Sequence, residues 1–282
     1  MNCLFVTDLH GKIDRYDKLI DKIKEILPDI VFIGGDILSN FNPYLTDEYD
    51  DFILDYLIPL FQNLKSNITK KYPKIFIILG NDDPKIEENK ILKGQECGLW
   101  EYIHNRKVIF NNYIFYGYAN IPPTPFLLKD WERYDVSRYV DPGCIHPTEG
   151  KRSIDENEDI EYATIHKDIT QLVGDDILEN AVFLFHSPPY KTNLDRADLD
   201  DVIIDHVLPD VHVGSIAIQR FIKEKQPLLT LHGHIHESSR ITGSWKDKID
   251  RTFMFSAAYE LPKLAIVIFD LNRLDKAKRI LF

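Results

Sequence analysis

Cysteine is scarce: the 282 residues hold three, Cys3, Cys97 and Cys144. The number is odd and no two stand in a CxxC spacing, so neither a disulfide scaffold nor a zinc ribbon or dithiol motif can be read. A reducing interior suits such thiols. Long apolar runs are also missing, none approaching the roughly 20 residues that span a bilayer. The first run, Cys3-Leu4-Phe5-Val6, lacks a basic leader and meets Asp8 and His10 too soon for a signal peptide. A cytoplasmic protein without membrane association is expected. Basic charge is in short supply too, with 34 Lys and Arg against 45 Asp and Glu, a formal net charge of -11. That balance disfavours sustained binding to duplex nucleic acid unless cations are gathered on one face. Clustered carboxylates are, on the other hand, what a divalent-metal site requires. No internal repeat or low-complexity tract is present.

What the chain does contain is 44% hydrophobic residues, enough for a single domain over 1–282 with an elaborated loop. Short apolar runs, Cys3 to Val6, Ile30 to Ile33, Ile75 to Leu79, Ala181 to Phe185 and Leu228 to Leu231, read as buried strands by their length and their β-branched and aromatic content. Between them Ile13 to Ile26, Asp50 to Leu64 and Ile216 to Lys225 show helical spacing of apolar residues. Strand alternating with helix implies a layered α/β fold. Arg251 to Phe255 and Leu264 to Phe269, with little helix between them, predict a hairpin-rich second sheet. The stretch from about 118 to 159, with Ile121-Pro122-Pro123-Thr124-Pro125-Phe126, breaks the alternation. It is expected to be a long loop insertion, either a lid over a site or a surface-packed segment.

In such folds ligands gather where loops leave the carboxyl ends of strands, and polar residues recur there. In Asp8-Leu9-His10-Gly11 a carboxylate and an imidazole, one residue apart, would project to one side of an extended segment and could share a metal. The plain alternative is a strand-end turn. Gly34-Gly35-Asp36 combines close backbone approach with a carboxylate able to bridge two cations, and Gly80-Asn81-Asp82-Asp83 offers a neutral amide oxygen beside two acids. Both read equally as turns. His186 leaves an apolar strand, and in His232-Gly233-His234-Ile235-His236 the last two histidines can face one cavity. His232, ahead of the glycine, reads as the end of its strand. His212 to Ser215 opens a helix, as an anion site or as an ordinary cap.

Taken in order, Asp-x-His, Gly-Asp, Gly-Asn-x-Asp, His and Gly-His-x-His resemble the calcineurin-like metallophosphoesterase superfamily, from Asp8 to His236. The resemblance implies two facing mixed β-sheets flanked by helices. It also implies two divalent ions per chain, of manganese, iron or zinc, one held by Asp8, His10, Asp36 and His236 and the other by Asp36, Asn81, His186 and His234. Two cations about 3.5–4 Å apart would clamp phosphoryl oxygens and activate a water for attack on phosphorus. Activity would then fall in acid as the histidines protonate. The substrate implied is a small or nucleotide-like phosphomonoester or phosphodiester. Two alternatives stay open, a nuclease of the same superfamily and a non-catalytic metal-site scaffold. A nuclease would want a basic track, for which Lys65, Lys70, Lys71 and Lys74 are the best candidates. Three departures stand out: Phe255-Ser256-Ala257-Ala258 replaces a common Asn-Pro-Gly turn after the last motif, where the substrate wall is expected to differ, and of the other two the one at Ser39 changes little. Asp82 stands where many relatives have a histidine that protonates the leaving group, and Ser39 where they have a supporting acid.

Overall fold

The computed structural model of the chain describes residues 1–38, 49–155, 160–204 and 206–282. Ser39 and residues 156–159 of the long central stretch lie outside them. The strands are β1 (Asn2–Val6), β2 (Ile30–Gly34), β3 (Lys74–Ile78), β4 (Glu101–Tyr102), β5 (Arg106–Phe110) and β6 (Tyr113–Tyr118). They continue with β7 (Ala181–Phe185), β8 (Leu229–His232), β9 (Lys246–Ile249), β10 (Thr252–Ser256), β11 (Ala265–Asp270) and β12 (Lys278–Leu281). One six-stranded sheet runs β12-β11-β1-β2-β3-β4 and the other β5-β6-β7-β8-β10-β9. The α-helices among the described residues are α1 (Ile13–Ile26), α2 (Ile58–Ile68), α3 (Glu88–Glu96), α4 (Ile165–Val173), α5 (Ile216–Lys225) and α6 (Ser238–Thr242). The two mixed sheets flanked by helices are those the sequence implied.

The layers follow from which residues alternate. Phe115 points inward from β6 and meets Phe76 at 4.7 Å and Phe32 at 5.8 Å, while Phe255 meets Phe269 at 5.6 Å, so aromatic rings fill the space between the sheets. Tyr116 and Phe183, one residue out of phase, stack on the opposite face of the second sheet in a separate core with Ile169 of α4 and Ile218 of α5. Covered on both faces, β2 and β7 are buried at every residue, which is why they read as unbroken apolar runs. β1, β2 and β3 are parallel neighbours, as are β7 and β8. Their carboxyl ends bring the segments carrying Asp8, Asp36, Asn81, His186 and His234 to one edge.

Two expectations need correction. The C-terminal runs do not share a sheet: β10 pairs with β8, and β11 pairs with β1. Each makes its hairpin with a short, charged strand, β9 or β12, whose residues are alternately exposed. Such edge strands carry little apolar signal because charge there discourages further pairing. The helix expected over Asp50 to Leu64 begins as a π-helical turn, Phe52–Leu57, and continues as α2 to Ile68. Pro59 has no N–H to give to the carbonyl four residues back, and the wide turn lies just before it.

Residues 119–155 contain no regular helix or strand, only isolated bridges such as Ile121 with Glu132 and Leu128 with Lys151. Their order comes from side chains. Lys129 and Glu132, both fully buried, pair at 2.6 Å. Lys129 Nζ also donates to the Thr124 carbonyl at 2.9 Å, and the Thr124 N–H donates to Glu132 at 2.9 Å. Trp131 Nε1 donates to the Asp83 carbonyl at 2.7 Å, tying the stretch to the turn after β3.

His104 sets one acid-sensitive feature of the fold. Its Nδ1 accepts the Ala119 N–H at 2.9 Å, and burial, then Lys85, Arg133 and Arg106, hold its pKa down to about 3. Between the ordinary 6.5 and that value the unfolded chain takes up a proton that the folded chain refuses. Stability therefore falls on acidification, by up to about 1.4 kcal/mol per pH unit from this group. His104→Asn keeps an acceptor for Ala119 without the titration. The difference in unfolding free energy between wild type and variant is expected to shift by more than about 1 kcal/mol between about pH 6.5 and 4.5; parallel denaturation curves would contradict it.

Candidate metal centre

Past β1 the backbone turns instead of running on. Asp8 and His10 have φ of 55° and 49°, so the extended segment expected for them is replaced by a turn with left-handed residues. Three backbone bonds zip it to the loop after β2: Asp8 N–H to the Gly35 carbonyl (3.0 Å), His10 to Asp36 (2.8 Å) and Gly11 to Ile37 (3.0 Å). Asp36 (49°) and His234 (72°) share the left-handed region, which Asp and His tolerate better than most residues and which collects at functional sites. Gly80 is required by contact: a Cβ there would lie 2.3 Å from Asp36 Oδ1 and 2.7 Å from His186 Cε1.

The side chains converge into two groups with Asp36 in common. One ligand atom from each of Asp8, His10, Asp36 and His236 lies within 4.8 Å of the others, and the same holds for Asp36, His186 and His234. Asn81 joins the second group, its Oδ1 3.0 Å from His186 Nε2. His186 Nδ1 lies 2.8 Å from the Gly34 carbonyl, which orients the ring and turns Nε2 toward Asp36 at 3.2 Å. His236 Nε2 is 3.1 Å from Asp8 Oδ1 and 3.3 Å from His10 Nε2. Asp8 Oδ2 is buried with no hydrogen-bond partner. An orphaned carboxylate oxygen beside converging imidazole nitrogens fits a cation, since buried polar atoms are otherwise paired.

Protonation follows the same geometry. Burial raises the Asp8 and Asp36 carboxyls, but the imidazoles outweigh it, chiefly His236 for Asp8 and His186 for Asp36, and hold both low. Burial lowers His186 and His236, yet Asp36 lifts the first to about 10 and Asp8 raises the second. His234 is pushed down to about 3 by burial and then by His186, and burial also lowers His10. The counter-charge for the two acids is thus carried by two imidazoles, and cation binding would release those protons. Asp82 Oδ2 lies 3.5 Å from His10 Nδ1, and its N–H donates to Asp36 Oδ1 at 2.8 Å. Burial, then Asp36, lifts the Asp82 carboxyl to about 7; cations beside it would act in the opposite direction.

Two residues have supporting roles that the sequence reading did not give them. Asp83, fully buried, accepts the N–H groups of Ile37 (3.1 Å), Leu38 (2.8 Å) and Gly80 (2.8 Å), fastening the Asp36 loop to the Asn81 turn. Arg15 Nη1 donates to the Asp8 carbonyl at 2.5 Å. Asp83 stands in the Gly-Asn-x-Asp motif, but its Ile37 and Leu38 partners are remote in sequence, and no spacing marks Arg15, seven residues after Asp8. His232 is structural: its nitrogens lie 2.9 Å from the Ser187 carbonyl and 2.7 Å from Thr230 Oγ1, and burial holds it neutral. The opening of α5 receives an internal anion, with Asp135 accepting from Ser215 Oγ (2.5 Å) and the Ile216 N–H (2.7 Å), while Ser215 Oγ caps Ile218. Lys65 donates to the Gly98 carbonyl at 3.0 Å and Lys74 pairs with Glu101. With Lys70 and Lys71 they sit at the amino end of β3, the edge opposite Asn81.

Above the candidate ligands lies a cavity of about 360 Å3. Asp36, Asn81, Asp82, His234 and His236 form its floor, and the Pro122 to Phe126 segment forms a wall. A family model described as calcineurin-like phosphoesterase matches residues 1–238. An uncharacterized protein of Methanocaldococcus jannaschii is 33% identical over 103 residues, 34% of this chain and 41% of the relative. The matched segment thus spans less than half the length of that curated relative. TT1561 of Thermus thermophilus superposes with a TM-score of 0.59 at 12% identity, covering 99% of this chain and 98% of that one. A dimetal phosphatase from Danio rerio gives 0.53 at 9% identity, covering 100% and 98%. Among the described residues no helix is long and apolar enough to cross a membrane.

Proposed function

Since the chain belongs to the calcineurin-like phosphoesterase family, we propose that it is a dinuclear metal-dependent hydrolase of small or nucleotide-like phosphoesters. The observation that carries this reading is the convergence of two ligand groups on one shared carboxylate, Asp36, next to the unpartnered Asp8 Oδ2. Asp8, His10, Asp36 and His236 would hold one ion, and Asp36, Asn81, His186 and His234 the other. Manganese, iron and zinc all suit such mixed nitrogen and oxygen donors. The ions would supply charge neutralisation of the phosphoryl oxygens and a lowered pKa for water. The chain's own contribution is to fix the ligands through Gly34, Gly35 and Asp83 and to present the ester to them in the cavity above. The complete donor set favours catalysis over a scaffold role. The position of the lysines, at the far edge from the ligands, weighs against a nuclease with that basic track.

The residue at the leaving-group position gives a testable consequence. Asp82 replaces a histidine able to donate a proton, and a carboxylate near two cations stays ionised at neutral pH. The leaving group must then depart largely unprotonated, forfeiting a contribution of about 10²-fold or more that a general acid supplies. With manganese added, kcat/KM for aryl phosphomonoesters and phosphodiesters is expected to fall steeply as the phenol pKa rises, and Asp82→His to flatten that dependence. Equal turnover of alkyl and aryl esters would contradict the role given to Asp82, and no turnover of any ester would sink the hydrolase reading.

A further inference from the structure

A second hollow adjoins the one above the candidate ligands. A second cavity of about 230 Å3 lies between the segments 122–144 and 190–216. Pro122, Pro123, Pro125, Cys144, Leu199 and Val213 line both spaces, so the two adjoin, and Asp36, Asn81, His234 and His236 line the first. The wall of the second cavity is largely carbon, contributed by the prolines and by Val136, Val140 and Ile204. Its polar side chains are mostly engaged with each other or with backbone. Tyr190 donates to Asp210 at 2.5 Å, Asp135 accepts the Ile216 N–H at 2.7 Å, and His212 Nδ1 lies 2.9 Å from the buried Asp195. Among the described lining residues there is no Lys or Arg, while Asp135, Asp141 and Asp210 are all acids.

We infer that this second cavity receives the organic arm of the phosphoester and that the arm is an apolar ring without a negative charge. The inference rests on the reading of the Asp36 centre as the place where the phosphoryl group binds. Adjacency supplies the geometry, because a phosphoryl group over the candidate ligands leaves its ester substituent facing the proline wall that the two cavities share. Size sets the scale: a cavity of about 150 Å3 holds a benzene ring, so the space here takes one substituted or fused ring. Charge excludes the alternative. A second phosphate or carboxylate would be placed among three acids without a cation, and an unpaired charge in an apolar site is strongly penalised. Apolar walls with a few placed polar groups are the usual construction of a pocket for such a ring.

The test is equilibrium binding to the full-length, manganese-loaded protein by calorimetry, using phenylphosphonate, methylphosphonate and 4-carboxyphenylphosphonate. Phenylphosphonate is expected to bind at least about tenfold tighter than either of the others, a difference of about 1.4 kcal/mol. Val140→Trp, which fills the cavity from a half-buried wall position, is expected to remove that advantage. Equal affinity for phenyl- and methylphosphonate, or an unchanged phenyl preference in Val140→Trp, overturns the inference. The two readings fail separately. Nitrophenyl ester turnover without a phenyl preference keeps the hydrolase and discards the pocket, whereas a phenyl preference lost in Val140→Trp without turnover of any ester keeps the pocket and discards the hydrolase.

Discussion

Asp36→Asn is expected to lower phosphoester hydrolysis by a factor on the order of 10³ while leaving the fold in place. Asp36 is the one carboxylate common to both ligand groups. Its Oδ1 accepts the Asp82 N–H at 2.8 Å, and its Oδ2 faces His186 Nε2 at 3.2 Å. Asparagine has the same shape and can keep the first contact, but its amide nitrogen cannot ligate a cation and the bridging charge is gone. Residues that merely orient a ligand cost about 10–100-fold when changed, and removal of one preorganised electrostatic group costs about 10²–10³-fold; a shared ligand belongs at the upper end. The fold should tolerate the change because His186, whose pKa is lifted chiefly by Asp36, can give up its proton once that carboxylate is gone. Circular dichroism and kcat/KM measured on the same preparation check both halves. Activity within about tenfold of wild type would mean that Asp36 is not a bridging ligand.

Lys129→Met is expected to destabilise the chain by about 3 kcal/mol and to weaken substrate binding more than turnover. Methionine nearly preserves the buried volume, so the loss comes from the charge pair and from the Thr124 carbonyl, which loses its Lys129 donor. Breaking a buried pair by removing one partner costs about 3–5 kcal/mol. The lower figure applies because burial already pushes the Glu132 carboxyl up to about 7 despite Lys129, so Glu132 can take a proton once its partner is gone. Glu132 also accepts from Thr124, in the segment that walls the cavity above the ligands, which ties this pair to KM. Adding Glu132→Gln should recover part of the loss, since the two sites are in direct contact. A change below about 1 kcal/mol in denaturant unfolding, with KM unaltered, would show that the pair does not order the segment.

Much of the fold and the candidate site could be read from the sequence because the signals are local. Buried central strands show as apolar runs, and each is followed within a few residues by a polar side chain, from Asp8 to His234. The geometry behind those letters was less visible. Asp8 and His10 meet through left-handed turns, a conformation imposed by backbone bonds to Gly35, Asp36 and Ile37, remote in sequence. Asp83 looked like another turn acid, although its three N–H partners come from two loops. The anion at the start of α5 proved to be Asp135, 80 residues away from Ser215. β9 and β12 were missed because charged edge strands lack the apolar pattern that marks β2 or β7.

Metal stoichiometry tests the central claim most directly. The purified chain, reconstituted with excess manganese and freed of unbound ion, would be measured by mass spectrometry of its metal content alongside Asp36→Asn. Two bound ions per wild-type chain, and at most one in the variant, are the predicted result, since on this account each group would hold one ion and both include Asp36. A wild-type chain that binds one ion or none under these conditions, or a variant that still binds two, would contradict the dinuclear account.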